Sequence, residues 1–212
     1  MRHSLNIYKL NEPNNILWGD YGHILISGMT SQPRKDGLFQ LERTGPFVPP
    51  ISMPFGAIVV TDVFRTQLEK SALTGFTFRP IIKSRIVHLE WQNWDRKAED
   101  PEEYPATGEP EDYILGQPHS PGIADQIGNL WELYLEEHAE IIRVSKKPSE
   151  TELGKWSPID IENEIFLVLS SWNGTDWFKA HQVGYTYVSE RGKSWLESAA
   201  PEWISFELAL TK

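Results

Sequence analysis

Residues 60–78 read VTDVFRTQLEKSALTGFTF, and residues 188–206 read VSERGKSWLESAAPEWISF, so one pattern returns 128 positions later without a gap. The identical pairs are Val60/Val188, Leu68/Leu196, Glu69/Glu197, Ala72/Ala200 and Phe78/Phe206, and the conservative pairs are Thr61/Ser189, Asp62/Glu190, Arg65/Lys193, Phe76/Ile204 and Thr77/Ser205. Capping, charged and apolar positions agree together, which predicts a structural module used twice.

Each copy begins with the signals of a strand that leads into a helix. Thr61 and Ser189 carry a hydroxyl that accepts a hydrogen bond from an unpaired amide at a helix start. Asp62 and Glu190 place a negative charge in the first turn, where the helix dipole favours it. Apolar residues then recur every fourth position on one face, at Phe64, Leu68 and Ala72 in the first copy and at Leu196 and Ala200 in the second.

Each copy also predicts where the helix stops and a second strand begins. Thr74-Gly75 offers a left-handed C-cap in the first copy, and Pro201 disfavours helical geometry at Ala200 in the second. The following residues alternate between apolar and polar, which is the period of a strand with one buried face. The apolar members are Phe76, Phe78 and Ile82 in the first copy, and Ile204, Phe206, Leu208 and Leu210 in the second.

These modules, at about 58–83 and 186–211, predict an α+β fold with mixed or antiparallel sheets and a few helices. With 212 residues, of which 40% are hydrophobic, the chain is long enough to bury a full core. We expect a single domain over residues 1–212. A division into two similar halves, 1–94 and 122–212, joined by an acidic proline-rich loop at 95–121, stays open.

Local patterns predict further elements along the chain. Ser120-Pro121 opens a helix that runs to about Glu137, although Leu130–Leu135 also alternates like a strand. Gly45–Gly56 is rich in proline, and we expect an extended strap that joins no sheet interior and packs through Phe47, Val48, Ile51, Met53 and Phe55. The other expectations are strands at 24–26, 38–41, 141–144 and 164–169, a polar turn at 31–37, a central sheet region from Phe76 to Trp91, and a type I′ hairpin turn at Asn173-Gly174.

Composition and charge narrow the classes of function. Twenty basic and thirty acidic side chains give a net charge of −10, which repels nucleic acid and anionic membranes and favours a basic partner protein. The chain has no cysteine, which removes disulfides, thiolate metal sites and thiol nucleophiles. Neither a signal peptide nor a membrane span is apparent, so we expect a cytoplasmic protein.

The acidic charge is concentrated in residues 95–112, where eight carboxylates face two basic side chains, Arg96 and Lys97. Three prolines interrupt this stretch, which therefore predicts a surface loop and not a core element. Aromatic side chains within or beside the loop suit protein interfaces, as do tryptophans that border polar turns. The predicted partner-binding residues are Trp94, Glu102, Glu103, Tyr104, Glu111, Asp112, Tyr113 and Trp177, whereas Trp195 and Trp203 are expected to be structural.

The usual catalytic signatures do not occur. The sequence lacks the nucleophile elbow, the Walker-type phosphate loop, the dinucleotide-binding glycine motif and the zinc-protease helix motif. The six histidines are scattered without ligand spacing, so we predict no catalysis, no metal and no cofactor. His119, with Glu111 and Asp112 nearby in sequence, is the one place where acid–base chemistry is conceivable.

Four stretches resemble an uncharacterised family of bacterial proteins, some of which are assigned as immunity proteins of polymorphic toxin systems. They are GLFQLERTGPFVPP at 37–50, IVVTDVFRTQLEKSALTGFTFRP at 58–80, DWF at 176–178 and VSERGKSWLES at 188–198. Pro201-Glu202-Trp203 replaces the Thr-Gly step of the first copy. The shared motifs are structural, and no functional residues come with the resemblance.

The resemblance implies a cytoplasmic immunity protein that binds and neutralises a cognate toxin. The acidic charge favours a basic toxin as the partner. Two alternatives stay open: a small-molecule or carbohydrate-binding protein that uses Trp94 and Trp177, and an enzyme built around His119.

Overall fold

The computed structural model describes residues 6–13, 22–90, 116–145 and 163–212. Within them the fold is α+β, with four α-helices and fifteen strands in mixed and antiparallel sheets. The helices are α1 (Gly22–Ile26), α2 (Asp62–Lys70), α3 (Pro121–Ile127) and α4 (Glu190–Ala199). The strands are β1 (Ile7–Asn11), β2 (Thr30–Lys35), β3 (Leu38–Gly45), β4 (Ile51–Ser52), β5 (Val59–Thr61), β6 (Phe76–Pro80), β7 (Ile82–His88), β8 (Leu130–Leu135), β9 (Glu137–Ala139), β10 (Ile141–Ser145), β11 (Asn163–Leu167), β12 (Trp177–Ala180), β13 (Thr186–Ser189), β14 (Ser205–Leu208) and β15 (Leu210–Thr211).

Both predicted modules are present. The first is β5, α2 and β6, and the second is β13, α4 and β14. The two N-caps form as predicted: the Thr61 hydroxyl accepts from the Phe64 amide, and the Ser189 hydroxyl accepts from the Gly192 amide. Leu68 and Leu196 are fully buried on the inner faces of the two helices.

The two strands of each module are not adjacent in their sheet. A third strand lies between them and pairs antiparallel with both. In the first sheet, ordered β4-β5-β8-β6, strand β8 lies between β5 and β6. In the second, ordered β14-β1-β13-β12-β9, strand β1 lies between β13 and β14. The first module is therefore completed by a strand that follows it, and the second by the first described strand of the chain.

The two sheets share one pairing register. Val60 lies opposite Trp131, and the equivalent Val188 lies opposite Tyr8. Phe78 faces Leu133, and the equivalent Phe206 faces Leu10. On the other side of the central valines, β4 and β12 are also equivalent, because Ile51 pairs with Val60 and Trp177 with Val188. The repeat thus extends from the local module to four paired strands.

The two modules pack around a common core. This cluster contains Val60, Phe64 and Leu68 from the first module and Val188 and Leu196 from the second. The Phe64 and Trp195 rings contact edge-on with centroids 5.4 Å apart, so α2 and α4 meet across it. Two smaller three-stranded sheets, β2-β3-β7 and β10-β11-β15, lie outside these units.

Three predicted turns and ends are corrected. α2 ends at Lys70, and Ala72 already has a φ of 58°, so Thr74-Gly75 is not its C-cap. Ala72 is exposed and lies after the helix, so it does not belong to the apolar face predicted for it. The Asn173-Gly174 step joins strands of different sheets, and only its glycine has a positive φ, so it is not a type I′ hairpin turn. Most of the predicted polar turn at 31–37 is strand β2; only Asp36-Gly37, where both residues have a positive φ, forms the turn of the β2–β3 hairpin.

Other boundaries also differ from the sequence-based expectation. The helix from Pro121 ends at Ile127, because Gly128 has a φ of 72° and Leu130–Leu135 forms β8. Residues 24–26 belong to the short helix α1, not to a strand. β6 and β7 lie at the edges of their described sheets and not at a centre, whereas the predicted strands at 38–41 and 141–144 are confirmed and that at 164–169 is confirmed up to Leu167.

The expectation that the proline-rich strap joins no sheet interior is wrong at Gly45, which ends the central strand β3 and pairs with His88. The rest of the strap pairs only at a sheet edge, through β4, in keeping with its missing donors. Ile51 is completely buried, and Phe47, Val48 and Met53 pack against buried clusters. Phe55 is the exception, because it has a φ of 51° in a 3₁₀ turn and its side chain is 54% exposed. None of the described helices is long and apolar enough to cross a membrane.

Candidate functional site

A buried carboxylate joins the two modules. Asp176 Oδ1 accepts hydrogen bonds from Ser189 Oγ at 2.8 Å and from Arg191 Nε at 2.9 Å. Its Oδ2 accepts from Thr74 N at 2.9 Å and from Thr74 Oγ1 at 3.0 Å, and Arg191 Nη2 also donates to it. Thr74 follows the C-terminal end of the first helix and Ser189 caps the N-terminal end of the second, so one side chain connects opposite ends of the two helices.

The electrostatics of this joint favour the ionised carboxylate. Burial by itself raises the pKa of Asp176, but the hydrogen bonds from Arg191, Ser189 and Thr74 outweigh it and lower the pKa below its ordinary value. The same contact raises the pKa of Arg191, chiefly through the hydrogen bond to Asp176. Asp176 therefore acts as a charged structural anchor, because Arg191, Ser189 and Thr74 all donate hydrogen bonds to its carboxylate oxygens.

A surface depression of about 390 Å³ lies beside this joint. Its lining includes Trp172, Asp176, Glu190 and Arg191, so its charges are of both signs. The Trp172 ring packs at 5.7 Å from Phe178, and its Nε1 donates to the Thr175 carbonyl. The polar groups of Trp172 and Asp176 are thus already paired within the fold, and the depression presents no converging set of unpaired groups.

The repeated modules also carry matching surface clusters. In the first, Arg65 lies over the Trp131 ring at 4.0 Å and pairs with Glu69 at 3.0 Å, and the Trp131 indole donates to Asp62 at 2.8 Å. In the second, Lys193 lies over the Tyr8 ring at 5.1 Å, and the Tyr8 hydroxyl donates to Glu190 at 2.7 Å.

The positions that the repeat shares thus form the same cation, ring and carboxylate arrangement twice. Lys193 also pairs with Glu197, as Arg65 does with Glu69. In each cluster the cation contacts both a ring of the filling strand and a carboxylate of its own helix, so each cluster ties that strand to the helix that crosses it.

Described residues before and after the acidic stretch contact the same part of the fold, strand β7 and its end. Directly after β7, the Leu89 amide donates to the Gly45 carbonyl at 2.8 Å. Beyond the stretch, the Ser120 amide donates to the Ile86 carbonyl at 2.7 Å, and the Ile86 amide donates to His119 Nδ1 at 2.9 Å. The described residues on the two sides of 91–115 therefore both lie at β7.

Helix α3 holds the residues that follow the acidic stretch against strands β3 and β7. It follows Ser120 directly and packs on β3 and β7, where Gly45 lies so close to Ile123 and Ile127 that a Cβ atom would stand 2.7 and 2.5 Å from their side chains. Lys83 of β7 donates to the Gly128 carbonyl at 2.8 Å, at the end of α3. Arg85 of β7 pairs with Glu42 at 2.7 Å.

The predicted partner-binding residues divide into two groups. Trp94, Glu102, Glu103, Tyr104, Glu111, Asp112 and Tyr113 lie outside the described residues. Trp177 is described, and the prediction for it is corrected: its side chain is 0% exposed in the common core, with Phe76 edge-on at 6.2 Å, so it offers no surface to a partner or sugar. Trp195 and Trp203 pack against Phe64 and Phe47, as their predicted structural role requires.

The joint was not foreseen from sequence, because Asp176 and Thr74 are 102 positions apart. The available signals were indirect: the hydroxyl of Ser189 at the second N-cap and an acidic residue just before the strand that leads into the second module. His119 was singled out, but its Nδ1 accepts from the backbone. Across the described ranges, no group of three or more potential ligands is placed to hold a metal ion.

Comparisons with known proteins gave no match, either to protein-family models or to curated proteins and solved structures.

Proposed function

We propose that this chain is a cytoplasmic immunity protein that binds and neutralises a basic toxin without catalysis. The observation that carries the proposal is the position of its charge. Residues 95–112 hold a net charge of −6 out of −10 for the whole chain. The nearest described residues with such contacts are held at one strand: Leu89 follows β7 and donates to Gly45, and His119 and Ser120 bind Ile86 of β7.

The chemistry of the stretch suits a cationic protein surface. A concentration of one sign of charge speeds the encounter with an oppositely charged partner, and tyrosines such as Tyr104 and Tyr113 add contact area at low entropic cost. Because Leu89 and His119, on the two sides of the stretch, are already held in the fold, less conformational entropy is lost when the stretch binds a partner. Binding of this kind blocks a toxin by occupying its surface.

The two alternatives receive less support. A tryptophan-lined sugar site was expected to use Trp177, and that ring is buried in the core. An enzyme at His119 would use an imidazole whose Nδ1 already accepts the Ile86 amide. We therefore carry forward the protein-binding proposal alone.

The proposal is tested with the protein encoded by the gene next to that of this chain. We expect the two products to form a stable complex, and we expect the chain to abolish the toxicity of its neighbour in cells. Surface plasmon resonance then compares the wild type with a variant in which Glu102, Glu103, Glu111 and Asp112 carry amides. The association rate of that variant should fall by about tenfold or more at low salt, because steering depends on charge.

A matched control removes the same number of carboxylates elsewhere. Glu136, Glu137, Glu140 and Glu202 are exposed and lie outside the acidic stretch. Their amide variant should keep most of the wild-type association rate. Equal losses in both variants would reduce the effect to net charge, and a neighbouring product that neither binds nor is neutralised would overturn the proposal.

A further inference from the structure

A second surface depression, of about 200 Å³, lies where β6, β8 and β9 approach the segment before β12. Tyr134, Glu136 and His138 line it, and they alternate along the chain from β8 into β9. Thr77 also lines it, opposite Tyr134 in β6, as does Thr175 just before β12. Polar side chains from three separate segments of the chain therefore meet around one depression.

These polar groups have no partners, in contrast to those of the larger depression beside the joint. Within the described part of the chain, the Thr77 and Tyr134 hydroxyls and the Glu136 carboxylate make no hydrogen bond or ion pair. His138 Nε2 and Thr175 Oγ1 are buried and likewise have no hydrogen-bond partner there. Native folds rarely leave buried polar groups unpaired, and each exception calls for an explanation such as a bound group.

The residues around the depression are held by contacts that do not use these groups. The Thr175 amide donates to Asn173 Oδ1 at 3.1 Å, and the Thr175 carbonyl accepts from Trp172 Nε1 at 3.0 Å. The His138 ring packs against Phe178 with centroids 5.4 Å apart. Because these side chains are already fixed, little conformational entropy is lost when a ligand binds between them.

The lining selects a ligand by its hydrogen-bonding chemistry. Hydroxyl groups both donate and accept, so a ligand that contacts Thr77, Tyr134 and Thr175 has to do the same. An anion offers acceptors alone and would face the Glu136 carboxylate. An ammonium group offers donors alone and would approach the Arg79 guanidinium, which lies 3.2 Å over the Tyr134 ring. Ligand hydroxyls avoid both conflicts.

The size of the depression limits the ligand. Its volume of about 200 Å³ lies below the range of roughly 300–1,000 Å³ that is typical of pockets for drug-sized molecules. A single sugar ring or a cyclic polyol is smaller than such molecules and carries hydroxyl groups on several sides.

We propose that this depression binds a small neutral polyhydroxy molecule, with Tyr134, Glu136 and Thr175 as its principal hydrogen-bonding contacts. The described lining contains no tryptophan, so this site differs from the sugar site predicted at Trp94 and Trp177. It also takes no residue from the acidic stretch. The test of this site therefore stands apart from that of the proposed function.

The test titrates the nitrogen-15-labelled protein with glucose, galactose, mannose, N-acetylglucosamine and myo-inositol, and follows the amide signals by NMR. At least one of these compounds should bind with a dissociation constant of about 1 mM or lower, as expected for a ligand of this size. The amides of Thr77, His138 and Thr175 should then shift together. If none of the five compounds shifts these amides, the proposal is overturned.

Two variants separate ligand contacts from structural roles. Within the described fold Thr175 Oγ1 has no partner, so Thr175→Val should leave the free energy of unfolding unchanged or raise it. Its affinity for the compound that binds best should nevertheless fall by about fivefold or more, because a hydrogen bond to the ligand is lost. Tyr134→Phe should weaken binding to a similar extent, since it removes the hydroxyl and keeps the ring beneath Arg79.

Thr44→Val is the matched control. Thr44 Oγ1, on β3, is also buried without a partner among the described residues, but Thr44 does not line the depression. This variant should bind the compound as the wild type does. An equal loss of affinity in Thr44→Val would contradict the proposed site, as would unchanged affinity in both Thr175→Val and Tyr134→Phe.

Discussion

Two buried ionic side chains show opposite solutions to the cost of burying a charge. Asp176 is 4% exposed and receives hydrogen bonds from Thr74, Ser189 and Arg191. Arg43 is 0% exposed and, among the described residues, donates only to the backbone carbonyls of Leu25, Thr44 and Phe47 and has no partner for its Nη1. Burial lowers the pKa of Arg43 to about 10, so its guanidinium is still charged at neutral pH. The first is an electrostatic joint and the second serves to satisfy carbonyls.

The joint at Asp176 makes stability depend on acid pH. Its pKa in the folded chain lies below the ordinary value of about 3.9, so the unfolded chain binds more protons there and stability rises with pH across this window. The contribution is present above about pH 4 and is lost as the pH falls through the folded pKa. Asp176→Asn should cost about 2–4 kcal/mol at pH 7, because it breaks a buried charged network.

Urea unfolding of both proteins between pH 2.5 and pH 7 measures this. The gap between wild type and Asp176→Asn should narrow as the pH falls below about 4. Glu202→Gln is the control, because Glu202 is exposed and its removal should leave the curve near that of the wild type. A gap that stays constant down to pH 2.5 would show that the charge of Asp176 contributes nothing.

At the scale of elements, a close backbone approach sets the turn between α2 and β6. A Cβ atom on Gly75 would stand 2.0 Å from the Trp177 carbonyl oxygen and 2.8 Å from Thr175 Cβ. The Trp177 amide also donates to the Thr74 carbonyl at 3.0 Å. Glycine is therefore needed at position 75 so that the turn between α2 and β6 can approach β12, the strand beside the second module. It does not cap the helix.

Gly75→Ala and Gly174→Ala form a matched pair that isolates this contact. Both glycines have a positive φ, 97° and 88°, but a Cβ on Gly174 meets nothing within 4 Å. Gly174→Ala should cost about 1 kcal/mol for the backbone conformation alone, and Gly75→Ala should cost at least about 3 kcal/mol because backbone atoms must move. Chemical denaturation measures both values, and equal costs would refute the close approach.

The local sequence pattern predicted the modules well, because the N-cap residues and apolar positions that define each helix are close together in sequence. Thr61 and Ser189 cap as expected, and Phe64, Leu68 and Leu196 are buried. It failed where distant residues decide. Leu130–Leu135 fits either a helix or a strand by period, and the gap between β5 and β6 selects the strand. Trp177 borders a polar turn, yet its strand faces the common core, which no local pattern reveals.

For the candidate site, the composition of the sequence identified the acidic stretch but not the contacts that hold the residues on its two sides at β7. The contact between Ile86 and His119 spans 33 positions, and the joint between Thr74 and Asp176 spans 102. Neither leaves a periodic trace. The matching cation clusters were visible only as conservative pairs, since their rings, Trp131 and Tyr8, come from strands outside the repeated segments.

At the scale of the whole molecule, one inserted strand completes each module: β8 lies within the first and β1 within the second. β1 lies between β13 and β14, so the beginning of the described chain is held within its C-terminal module. The equal registers of Tyr8 against Val188 and Trp131 against Val60 make the two units equivalent. Both share one core, so we expect them to unfold as one cooperative unit.

A cysteine pair tests this directly, because the chain has no native cysteine. Lys9 lies opposite Glu207 across β1 and β14, with their charged groups 3.4 Å apart. Under oxidation, Lys9→Cys/Glu207→Cys should form an intrachain disulfide in the native state and raise the free energy of unfolding by about 2–4 kcal/mol. The control pair Lys9→Cys/Leu208→Cys should not, because adjacent strand residues point to opposite faces. Failure of the first pair to close, or equal closure of both pairs, would contradict the placement of β1 and with it the equivalence of the two modules.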